Sequence, residues 1–75
     1  METYKNLGGN SGVAGYEVTD NSIKVLFNDG GLYLYNDSKP GKPYVDRMKI
    51  LAQSGHGLNS LISSVIKKNY AAKLS

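Results

Sequence analysis

The chain has no cysteine, no tryptophan, one phenylalanine and one histidine in 75 residues. Without cysteine there is no disulfide staple, and His56 with scattered aspartates offers none of the usual metal-ligand spacings. A domain this small therefore lacks both common supports and draws its net stability, about 3 to 5 kcal/mol, from packing or self-association. Proline is scarce, with only Pro40 and Pro43, and no apolar run approaches the roughly 20 residues that span a bilayer. Met1-Glu2-Thr3-Tyr4-Lys5 opens without the apolar stretch of a signal peptide. These absences lead us to expect a cytoplasmic single domain with no membrane partner, no metal and no cofactor.

What charge there is lies unevenly. Residues 1–38 carry Lys5 and Lys24 against Glu2, Glu17, Asp20, Asp29 and Asp37, whereas residues 39–75 set Lys39, Lys42, Arg47, Lys49, Lys67, Lys68 and Lys73 against Asp46 alone. A basic half can be the electrostatic footprint of an anionic partner, although lysines on helix faces are commonly just solvated.

The pattern of side chains predicts an α+β domain: a three-stranded antiparallel meander followed by two helices. Residues 1–12 end in Gly8-Gly9-Asn10-Ser11-Gly12 and read as a flexible arm. A strand is expected from Val13 to Thr19, a second over Ile23–Phe27 by its period-two alternation, and a third over Leu32–Tyr35. Asn28-Asp29-Gly30-Gly31 between the last two is a strong hairpin signal. Pro43 suits a first helical turn, and Tyr44, Val45, Met48, Leu51 and Ala52 follow at helical spacing, with Ile50 off the stripe and Gly55 as terminator. Leu58, Leu61, Ile62, Val65 and Ile66 mark a second amphipathic helix ending near Asn69 or Tyr70, with Lys67 and Lys68 complementing its dipole. The domain proper then spans 13–70, and 71–75 is a frayed tail.

Tyr33-Leu34-Tyr35 after a glycine-containing turn, then a helix, then Gly55-His56-Gly57-Leu58-Asn59 resembles the KTSC domain. That family is named for its place at the C-terminus of some lysyl-tRNA synthetases and also occurs as small stand-alone bacterial and phage proteins. Its central mark is a Tyr-x-Tyr motif, matched by Tyr33 and Tyr35, and the resemblance runs from about Asn10 to Tyr70. The motif and core positions singled out are Phe27, Tyr33, Tyr35, Gly57, Leu58 and Asn59. The association with a tRNA-acting enzyme suggests RNA as a ligand, by analogy alone.

Catalysis finds no convergent groups. His56 has no cysteine to activate and sits between two glycines, with Asp46 its nearest carboxylate in sequence. Gly55-His56-Gly57 before a helix could offer backbone donors to an anion, but neither a Walker lysine nor a dinucleotide-binding spacing follows. We expect no enzyme and no catalytic residue.

The hairpin register decides where the tyrosines point. A two-residue Asp29-Gly30 loop would pair Phe27 with Leu32 and put Tyr33 and Tyr35 beside Lys24 and Leu26, as a base-stacking platform. A three-residue Asn28-Asp29-Gly30 loop would align Val25 with Tyr33, turn the tyrosines into the core and leave Leu26, Leu32 and Leu34 as an apolar strip opposite. The Tyr-x-Tyr resemblance favours the second. Two functions follow. One is RNA binding through Lys39, Lys42, Lys49, Lys67, Lys68 and Lys73, largely by phosphate contacts. The other is an interaction module that pairs its sheet face or edge with another protein or with itself as a homodimer.

Overall fold

Strands β3 (Ser22–Phe27) and β4 (Leu32–Asn36) form the hairpin on which everything else is hung. The computed structural model describes residues 1–9 and 11–75; the parts of the expected arm and of the family resemblance that fall on Asn10 lie outside the described residues. Val25 pairs with Tyr33 and Ile23 with Tyr35, and the Phe27 N–H donates to the Gly31 carbonyl at 2.8 Å. The loop is therefore Asn28-Asp29-Gly30, with Gly30 at φ 93°, where a side chain would be strained. Asp29 Oδ1 accepts the Gly31 N–H at 2.9 Å and braces the turn. This register, and not the two-residue one, sets Ile23, Val25, Tyr33 and Tyr35 on one face.

Among the described residues the sheet has five strands in the order β1-β2-β3-β4-β5, all antiparallel, where three were expected. Strand β2 (Val13–Val18) pairs with β3 through a bulge at Ala14-Gly15. The additions are β1 (Glu2–Thr3), laid against β2, and β5 (Ala72–Lys73), laid against β4. Both come from segments whose sequence reads as arm and tail, because two residues carry no periodicity; they form by meeting the open edges of a sheet already made. The amino-terminal segment also reaches the core: Tyr4 is buried, and its hydroxyl accepts the Leu58 N–H at 3.3 Å.

Helix α1 (Lys42–Ser54) buries Val45, Met48 and Ala52 and leaves Ile50 63% exposed, as its position off the stripe requires. Tyr44, expected on the stripe, is instead exposed, although Val45 beside it in the same turn is fully buried. The helix ends at Gly55, φ 77°, whose carbonyl accepts the Leu7 N–H at 2.8 Å. A Cβ there would lie 2.5 Å from Lys5 Cβ, so glycine is needed both for the turn and for the close passage of the amino-terminal segment.

The second helix is shorter than its apolar arc predicts. Helix α2 (Leu58–Leu61) passes at once into a π-helical turn over Ile62–Ile66, closed by the Lys67 N–H donating to the Ile62 carbonyl five residues back. Ser63 and Ser64 hydroxyls donate to the carbonyls of Asn59 and Ser60, four residues back, and so compete with the α-helical ladder where it gives way. The wider turn shifts the phase: Ile62 and Ile66 stay buried, while Val65 swings out to 52% exposure. The core thus joins Tyr4, Val13, Ile23, Val25 and Tyr35 to Val45, Met48, Ala52, Leu58, Ile62 and Ile66, with both helices on one face of the sheet.

Candidate functional site

Because the π turn stops at Ile66, the chain must reverse early, and Lys67 does so at φ 54°, a positive value uncommon outside glycine. Lys67 and Lys68 are thereby set against the end of the sheet. The chain then returns along β4, the Ala71 N–H donating to the Leu34 carbonyl at 2.8 Å and the Leu74 N–H to the Leu32 carbonyl at 2.7 Å. This return carries Tyr70 onto the tyrosines of β4.

The result is a groove of about 480 Å³ walled by Phe27, Tyr33, Tyr35 and Tyr70, with Ile62 at its base and Lys67 and Lys68 on its rim. Phe27 meets Tyr33 edge to face at 5.5 Å, and Tyr33 lies 4.8 Å from Tyr70 at a tilt of 57°. Tyr35 meets Tyr70 nearly perpendicular at 6.4 Å. Such tilted contacts are the favourable ones for rings with negative faces and positive edges. The Lys73 ammonium stands 5.8 Å from the centre of the Tyr33 ring, within cation–π range. Burial, then the neighbouring Tyr33 and Tyr70, pushes the Tyr35 phenol up to about 12, so it remains a neutral hydroxyl at the groove floor. Asn28 and Asp29 of the hairpin loop complete the wall, and Asp29 is the carboxylate among the lining residues.

The six lysines proposed from sequence divide between two places. Lys67 and Lys68 line the groove, and Lys73 stands beside it over the Tyr33 ring. Lys42 instead donates to Asp46 at 3.1 Å, a contact that raises its pKa, and Lys49 donates to the Asp20 carbonyl at 3.0 Å. Both sit at the opposite end of β3, where Lys39 is also exposed beside Asn36. Gly57, Leu58 and Asn59 build a junction rather than a groove: Gly57 takes φ 87°, Leu58 is buried beneath the Tyr4 hydroxyl, and Asn59 faces Gly12. Tyr70 is the groove residue that sequence reasoning missed, since it lies beyond the apolar arc of the second helix and before any strand pattern.

A second concavity of about 210 Å³ holds His56, Asn59 and Ser60 against Asn6 and Ser11. Two of its polar side chains serve the loop itself, Asn6 Oδ1 accepting the Ser11 N–H and Ser11 Oγ the Val13 N–H, both at 3.1 Å. Among the described residues no three His, Cys, Asp or Glu side chains meet as a metal site, and no helix is long and apolar enough to cross a membrane. No family model, curated protein or solved structure matches the chain.

Proposed function

We propose that this domain is a non-enzymatic binding module for single-stranded nucleic acid, with RNA as the ligand, and that the aromatic groove is its site. The observation that carries the reading is the junction of four aromatic rings with Lys67 and Lys68 in one groove of about 480 Å³, with Lys73 beside it over the Tyr33 ring. An unstacked base presents a flat π-face, and stacking on an aromatic side chain contributes about 1 to 3 kcal/mol per base. The flanking phosphates carry charge that Lys67, Lys68 and Lys73 can neutralise as counterions leave. The likeness to the KTSC domain supports the same ligand by analogy, through its Tyr33 and Tyr35.

The test is a titration of the isotopically labelled protein with a short single-stranded RNA. We expect amide shifts at Tyr33, Lys67, Lys68, Tyr70 and Lys73, and an affinity that falls about eighteenfold between 50 and 200 mM salt if three phosphates are engaged. Tyr33→Leu, which keeps an apolar side chain but no ring, should weaken binding by about 1 kcal/mol or more. Shifts scattered over the surface, or an affinity indifferent to salt, would remove the reading. A DNA strand of the same sequence reports whether the 2′-hydroxyl is used.

A further inference from the structure

The face of the sheet turned away from the helices has its own character. Alternation from Val25, Tyr33 and Tyr35 on the core face puts Leu26, Leu32 and Leu34 on the other, where Leu26 pairs with Leu32 and Leu34 with Ala72. Ala72 and Leu74 flank Lys73, whose ammonium lies over Tyr33 on the core side, so they too point outward. Leu26, Leu32, Leu34 and Ala72 are half-buried by one another, and Leu74 is 46% exposed. The charged side chains on the central strands of this face are Glu17 and Lys24, paired at 3.6 Å and summing to zero.

We infer that this outer face associates with the same face of a second copy of the chain, in a weak, twofold symmetric sheet-on-sheet dimer. Two features select a second copy as the occupant. One is charge. A nucleic acid would find a single lysine there, already paired, whereas an identical neutral face brings no repulsion and lets Glu17 and Lys24 pair across a twofold axis. The other is area. Three central strands of five or six residues and two edge strands of two, spaced about 4.8 Å apart at about 3.3 Å per residue, give a face of roughly 330 Å². Two such faces amount to roughly 670 Å² in projection, and the corrugation of the side chains carries this toward the roughly 1,000 Å² near which interfaces are weak and transient. The edges suit pairing less well, because β1 and β5 are two residues each and β5 carries Lys73.

Sedimentation equilibrium of the whole chain without nucleic acid tests the inference. The weight-average mass should rise from 8.1 kDa toward twice that value as concentration passes the order of 100 µM. Over the same range, concentration-dependent amide shifts should appear at Lys24, Leu26, Leu32, Leu34, Ala72 and Leu74 and not at Lys67 or Tyr70. Leu34→Asp should hold the protein monomeric, and Leu74→Lys, at an exposed margin, should weaken association if Leu34→Asp fails to fold. A monomer at about 1 mM, or shifts confined to the groove or the edges, would overturn the inference. Because no RNA is present, either result leaves the reading of the groove to its own test.

Discussion

At the end of β3 where the chain enters, Lys49 reaches the Asp20 carbonyl and Lys42 is held by Asp46; at the end where it leaves, Lys67, Lys68 and Lys73 gather about Phe27, Tyr33 and Tyr70. The two groups look alike in sequence, each a few lysines in the basic half. What separates them is the company the fold provides. Oxygen acceptors hold the first group in local contacts at the surface, while the second group lies beside the aromatic rings of the groove proposed to take a base. A basic half is therefore a weak signal until the neighbours of each lysine are known.

The contrast is broken or upheld most sharply by charge reversal. Replacing Lys67 and Lys68 together with glutamate should lower RNA affinity more than tenfold in fluorescence anisotropy at low salt, because two favourable phosphate contacts become two repulsions. The matched double variant at the other end, Lys42→Glu with Lys49→Glu, should change it less than threefold. Equal losses from both would mean that net charge, not the groove, governs binding.

A second, smaller effect lies at the groove floor. Burial favours the neutral Tyr35 phenol, lifting it from 10.0 to about 12, so the unfolded chain loses this proton first as pH rises. The sign follows directly. The contribution to stability is complete below about pH 10 and is lost as pH climbs through about 12, where the folded protein must also ionise a buried group. Denaturant unfolding followed between these values should show stability falling, with a late component of phenolate absorbance that disappears in Tyr35→Phe. A Tyr35→Phe protein whose stability declines as steeply over this window would place the sensitivity elsewhere.

How much of this was readable beforehand varies with the range of the interactions involved. The hairpin was legible because Asp29-Gly30 acts within four residues, and helix α1 because Val45, Met48 and Ala52 repeat along thirteen. Of the two registers weighed, the three-residue loop that turns Tyr33 and Tyr35 inward is the one that forms, and with it Tyr35 is buried. Strands β1 and β5 were not legible, since Glu2–Thr3 and Ala72–Lys73 become strands only by meeting edges far away in sequence. The π turn escaped for a related reason: Ser63 and Ser64 read as the polar side of an amphipathic helix, yet their hydroxyls bond backbone carbonyls and help to end it. Missing that turn meant missing Tyr70. Of the rings and lysines at the candidate site all but Tyr70, namely Phe27, Tyr33, Tyr35, Lys67, Lys68 and Lys73, could be named from sequence, but their convergence depended on a reversal at Lys67 that no residue type announces.

The smallest effects return to the entry end of β3 and separate its two lysines from each other. Lys42 and Asp46 form an exposed i, i+4 pair, in which solvent screening and side-chain entropy offset most of the attraction. Lys42→Ala should leave the thermal midpoint unmoved, and added salt should not change that result. Lys49 differs because its ammonium crosses from α1 to the turn before β3 and meets the Asp20 carbonyl, linking elements 29 positions apart in sequence. Lys49→Ala should therefore lower stability by about 0.5 to 1 kcal/mol in denaturant unfolding, and Lys49→Arg should recover part of it, since a guanidinium can reach the same acceptor. If Lys42→Ala proves the costlier change, the anchoring of this end rests on the helix pair, and the account of why these lysines face away from a ligand would have to be redrawn around Asp46.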